Sequence, residues 1–105
     1  MNDTIFEYID KTMDKSIEEL KKLLRIPSVA AIGEHMEEAA EFLIKSFESI
    51  GLETALHKTS GFPVVTGTLD VGAKRTLMLY CHYDVQPAEP FFLVGLTTIR
   101  ARNTR

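Results

Sequence analysis

The chain has 105 residues, 45% of them apolar and 26% charged, with a net charge of −3. That length suits one small domain with one core, and the composition is that of an ordinary globular protein. The acidic balance speaks against a nucleic-acid partner, and no apolar run reaches the length of a membrane span.

The N-terminus, Met1-Asn-Asp-Thr-Ile, is acidic and passes quickly into a helical pattern, so it does not read as a signal peptide. Thr4 opens the first predicted helix, with Glu7 in position for a capping box. Ile5, Ile9, Met13, Ile17, Leu20 and Leu24 recur at helical spacing and form one apolar stripe, read as a packing face. Charges fill the opposite face, including Glu18 and Lys22 at i, i+4. Pro27 ends the helix, because the residue before a proline is pushed out of the helical region.

A second helix is predicted from about Gly33 to Ile50, with Met36, Ala39, Ala40, Leu43, Phe47 and Ile50 as its stripe. Gly51 is its left-handed cap. His35 lies in the first turn among Glu34, Glu37 and Glu38. It reads as a surface residue, the acids serving the positive end of the helix dipole.

Residues 52–57 alternate and predict a strand, 58–61 a turn, 62–69 a second strand, and 70–74 another turn. His57, near a strand end, has no partner motif and reads as surface. The run Leu77 to Cys81 is apolar without alternation, which predicts a third strand buried on both faces. Cys81 at its end reads as a small core residue. A lone cysteine makes no internal disulfide and fits a reducing cytoplasm.

The character changes abruptly at His82-Tyr83-Asp84, and Pro87 and Pro90 then stop regular structure. Open α/β sheets place ligands at the carboxyl ends of their strands. Residues i and i+2 of a strand share a side, so His82 and Asp84 are candidates to lie together. A carboxylate on one ring N–H fixes the tautomer and frees the other nitrogen for a metal or a proton. His-x-Asp alone more simply fits a solvated strand end.

The longer string His82-Tyr83-Asp84-Val85-Gln86-Pro87-Ala88 resembles the first metal-site motif of the M20 family of zinc metallopeptidases. That family holds dipeptidases, carnosinase-like enzymes, aminoacylases, and deacetylases or desuccinylases of acylated amino acids. The Tyr and Gln variant looks most like the dipeptidase and carnosinase-like branch. The resemblance implies that His82 ligates one of two zinc ions and that Asp84 orients it and is catalytic. Leu24-Arg-Ile-Pro-Ser-Val29 similarly resembles a segment near the start of many M20 enzymes. The order helix, helix, strand, strand, strand fits the opening of their catalytic domain.

The resemblance covers residues 1–90 as the N-terminal part of such a domain; residues 91–105 diverge. Family members usually continue with a Trp and a Pro-Phe-x-Pro segment, then supply a metal-bridging Asp, a Glu pair, another acidic ligand and a late His. The tail Phe91 to Arg105 holds no Asp, Glu or His. Back-translated with allowed codons and shifted by one nucleotide, it can read Ser-Leu-Trp-Asp-Leu-Arg-Pro-Phe-Glu-Pro-Glu-Ile-Arg, the expected continuation. The tail therefore reads as out of frame, the alternative being a genuine basic tail with solvated arginines.

The expected fold is α/β: two helices packed on a small mixed sheet, a partial M20-like domain. A catalytic zinc needs about three protein ligands plus water or substrate, and the motif supplies one. The resemblance thus implies the N-terminal fragment of a cytoplasmic metal-dependent hydrolase of dipeptides or N-acylated amino acids, inactive alone. The alternative is a non-catalytic small α/β protein in which the motif is a relic. Neither membrane nor nucleic acid is an expected partner, and exposed strand edges would invite self-association.

Overall fold

A computed structural model describes residues 2–87. The tail expected at 91–105 lies outside the described residues. The elements are helix α1 (Asn2–Leu24), helix α2 (Met36–Ser49), strand β1 (Glu53–His57) and strand β2 (Val64–Thr68), with a 3-10 turn at Ala30–Ile32.

Helix α1 already runs at Asn2, ahead of the Thr4 start expected from the capping box. The anticipated Glu18–Lys22 pair is replaced by two i, i+3 pairs, Lys21–Glu18 at 3.1 Å and Lys22–Glu19 at 2.8 Å. Beyond Leu24 the Arg25 amide still reaches the Lys21 carbonyl. Pro27 then has no N–H to continue the ladder. The apolar stripe from Ile5 to Leu24 does not bury: its six residues are 41–53% exposed. An amphipathic helix gains stability mainly by covering its apolar stripe, and α1 meets α2 only sparingly.

The small core sits where the chain leaves α1 and enters α2. Ile26, Val29, Met36, Ala39 and Ala40 are buried, and Ser28 is buried with them. Gly33 (φ 70°) turns the chain after the 3-10 segment. Helix α2 then begins three residues later than predicted, with His35 as its N-cap at φ 55°. Its C-terminus matches the expected glycine cap. Gly51 has φ 89°, its amide donates to the Glu48 carbonyl, and the Leu52 amide donates to the Phe47 carbonyl. These are the paired bonds of a Schellman motif. Ile50, placed in the stripe by spacing, points outward and is 71% exposed.

β1 and β2 form an antiparallel hairpin, registered Glu53 against Thr68 and His57 against Val64. In its connection the Gly61 amide donates to the Thr59 hydroxyl, which donates in turn to the Phe62 carbonyl. Helix α2 packs on both strands. Gly67 permits that approach: a Cβ there would lie 2.8 Å from the Phe47 ring and 2.9 Å from Leu52.

The α/β class holds, but the sheet is two-stranded and antiparallel rather than mixed. The third strand expected at Leu77 to Cys81 does not form. Leu77, Met78, Leu79 and Tyr80 are 81–85% exposed, and Cys81, expected in the core, is exposed too. A strand buried on both faces needs neighbours for its N–H and C=O groups and layers above and below. Among the described residues nothing pairs with this stretch. No described helix is long and apolar enough to cross a membrane.

Candidate functional site

The chain becomes structured again at residues 82–85. Tyr83 and Val85 turn toward the body of the protein and are half-buried. The His82 side chain is 78% exposed and that of Asp84 41%. The stretch is not a strand and its burial does not alternate, since Tyr83, Asp84 and Val85 are all half-buried.

His82 Nδ1 lies 3.0 Å from Asp84 Oδ1 and 3.3 Å from the Asp84 backbone carbonyl. An ionised carboxylate and a carbonyl only accept, so Nδ1 carries the proton and donates. Nε2 meets no partner among the described residues and lies on an exposed ring. The structure thus brings together the two residues singled out by the i, i+2 spacing.

The segment is held from two directions. The Ser28 hydroxyl donates to the Tyr83 carbonyl at 2.8 Å, and the Val85 amide donates to the Ser28 carbonyl at 2.9 Å. Val29 and Val85 form a parallel bridge beside these bonds. From the hairpin side, the Tyr83 hydroxyl donates to the Pro63 carbonyl at 2.6 Å. Burial pushes the Tyr83 hydroxyl above its ordinary pKa, and the neighbouring Asp84 charge adds to the rise. Ser28, Tyr83 and Pro63 were not candidates from sequence. Ser28 lies in the Arg-Ile-Pro-Ser-Val string and Tyr83 in the His82–Ala88 motif, but neither string says what those side chains bond, and Pro63 lies in no motif.

The other histidines lie apart, on the surface as expected. His35 Nδ1 pairs with Glu38 Oε2 at 2.7 Å in the first turn of α2. His57 Nε2 meets the Thr66 hydroxyl at 2.9 Å across the hairpin.

An exposed imidazole with Nδ1 engaged and Nε2 unpartnered among the described residues suits one coordination position of a divalent metal. A full zinc site takes about three protein ligands. Among the described residues no group of three or more His, Cys, Asp or Glu side chains could hold a metal ion. The described residues therefore fit part of such a site and not a whole one.

No family model matches the chain. It is 30% identical over 100 residues to a Cys-Gly metallodipeptidase of Schizosaccharomyces pombe, covering 82% of this chain and 21% of that protein. It is 32% identical over 101 residues to a Cys-Gly metallodipeptidase of Candida albicans, covering 80% of this chain and 21% of that protein. Among solved structures, an M20 family metallo-carboxypeptidase of Sulfolobus solfataricus matches with a TM-score of 0.70 at 41% identity. That match covers 73% of this chain and 18% of the carboxypeptidase. The chain thus spans about a fifth of the length of the curated relatives it matches. The shared sequence and the shared fold agree: the chain belongs to the M20 family of metallopeptidases.

Proposed function

We propose that His82 and Asp84 form the first part of a metal-dependent hydrolase site for the peptide or amide bond of dipeptides or N-acylated amino acids. The observation that carries this reading is the 3.0 Å contact from His82 Nδ1 to Asp84 Oδ1 on an otherwise open imidazole. His82 would offer Nε2 to one divalent metal, zinc by family resemblance. Asp84 would hold the ring in the tautomer that exposes that nitrogen. The relatives named for Cys-Gly cleavage make Cys-Gly the first substrate to try. The single cysteine favours a cytoplasmic setting.

The remaining ligands and the general base are not supplied by the described residues, so the chain alone should not turn over substrate. The test is a chimera in which residues 2–87 replace the matching part of the Sulfolobus carboxypeptidase. Metal-dependent hydrolysis of Cys-Gly or another dipeptide, abolished by His82→Ala, is the expected result. A folded chimera without activity would overturn the reading.

A second reading follows from the exposed apolar run Leu77 to Tyr80. Unpaired backbone beside exposed apolar side chains invites strand addition by another chain. In that case the chain acts as an interaction module and the motif is a relic. Sedimentation of the chain against a Leu79→Lys variant tests whether self-association runs through this stretch, and an active chimera decides against the relic.

A further inference from the structure

We infer that Ser28 is a positioning residue for the His82–Asp84 pair, the task of the otherwise unassigned Arg-Ile-Pro-Ser-Val segment. The inference deepens the reading of His82 as a ligand and Asp84 as its orienting carboxylate, and rests on it.

Ser28 bonds to both peptide groups that flank Asp84. Its hydroxyl holds the carbonyl of the Tyr83–Asp84 peptide at 2.8 Å. Its own carbonyl holds the N–H of the Asp84–Val85 peptide at 2.9 Å. The backbone has two soft torsions per residue, and fixing the planes on either side of Asp84 fixes both of its torsions. The carbonyl of the second peptide is the one that lies 3.3 Å from His82 Nδ1. Ser28 therefore places the backbone carbonyl that faces Nδ1 and the Cα–Cβ bond from which the Asp84 carboxylate reaches it.

Ser28 is itself firmly set. It is 1% exposed, between the buried Ile26 and Val29. Its amide donates to the Ile26 carbonyl and the Val29 amide to the Pro27 carbonyl, both at 2.8 Å. These are tight i to i+2 turns around Pro27 and Ser28, and Pro27 has its φ fixed by its ring. A serine is the smallest residue that can sit in this buried turn and still donate to a carbonyl. Alanine keeps the turn and loses the donor.

The experiment reads the His82 tautomer in the 105-residue chain by proton–nitrogen NMR correlation, above the pH range in which imidazole titrates. The wild-type ring is expected in the Nδ1–H form. In Ser28→Ala the ratio of Nδ1–H to Nε2–H should fall about fivefold, the factor carried by one typical net hydrogen bond. Circular dichroism should show the helices intact. Asp84→Ala provides the reference in which the carboxylate is gone. A folded Ser28→Ala chain with the wild-type tautomer ratio would overturn the inference, since a merely structural serine lowers stability without moving the ring proton.

If Ser28→Ala does not fold, amide exchange in the wild-type chain decides. A Val85 amide exchanging far more slowly than that of exposed Leu79 supports the clamp; equal rates overturn it. The hydrolase reading fails separately. An inactive chimera with an intact tautomer response loses the enzyme and keeps the clamp, and an active chimera with no response does the reverse.

Discussion

Tyr83→Phe removes one oxygen at the point where the hairpin meets the candidate site. The Tyr83 hydroxyl donates to the Pro63 carbonyl at 2.6 Å, a partner twenty residues away in sequence and just ahead of β2. A net hydrogen bond of this kind contributes about 0.5–1.5 kcal/mol. Tyr83 is half-buried, so water can replace the lost donor in part, and about 1 kcal/mol is the expected cost. That corresponds to roughly a fivefold fall in the folded-to-unfolded ratio. The pH dependence gives an independent sign. Burial first, and the Asp84 charge second, raise the Tyr83 pKa in the folded chain. The unfolded value lies near 10. The stabilising contribution is thus fully present below about pH 10 and is lost as pH rises through the higher folded value. Urea unfolding followed by circular dichroism, at neutral and at alkaline pH, measures both effects. Tyr83→Phe should be less stable at neutral pH and show a shallower alkaline decline. Equal stability at neutral pH, with an unchanged alkaline limb, would refute the Tyr83–Pro63 contact and its burial together.

Three further outcomes are expected. Gly67→Ala should destabilise by about 1–2 kcal/mol, because overpacking against the Phe47 ring costs about 1–3 kcal/mol and the Gly-to-Ala backbone gain returns only about 0.4–1; thermal melting of the two chains compares them. The 105-residue chain, dialysed against buffer after loading with zinc, should keep well under one metal per chain, since the described residues assemble no three-ligand group. Elemental analysis showing one retained zinc per chain would contradict this. In the chimera, Asp84→Asn should retain much of the metal yet lose about 10–100-fold in turnover, the usual cost of removing a carboxylate behind a ligating histidine; initial rates alongside metal content measure it.

What the sequence made legible was whatever depends on near neighbours. Apolar spacing located both helices, a glycine located the Schellman cap at Gly51, and alternation with turn residues located the hairpin. The His82–Asp84 contact was legible for the same reason, since two residues apart leaves little freedom. The stretch Leu77 to Cys81 was misread because apolar composition reports a preference for burial and says nothing about whether a neighbour is there to supply it. The stripe of α1 fails in the same way. The left-handed His35 cap had no signal, as such a conformation in a non-glycine residue reflects the local path from Gly33 into α2. Ser28 was out of reach for a different reason. Its partner Tyr83 lies fifty-five residues away, and a serine in a proline turn looks the same whether or not its hydroxyl is engaged.

The geometry of the His82–Asp84 pair does not depend on the strand that was expected to deliver it. Leu77 to Tyr80 have neither paired nor buried, yet two residues later the ring and carboxylate stand 3.0 Å apart. The difference lies in what each stretch contacts. The apolar run depends on neighbours that the described residues do not provide. The site segment is tied to the turn after α1 through Ser28 and to the entrance of β2 through Pro63. Both anchors belong to the part of the chain that does pack: Ser28 lies in the small core, and Pro63 leads into the hairpin seated on α2. A perturbation of Leu77 to Tyr80 should therefore leave the imidazole in place, whereas a perturbation of the hairpin or of the proline turn should reach it. Leu79→Lys and Ser28→Ala occupy the two sides of that division, and the tautomer of His82 separates them.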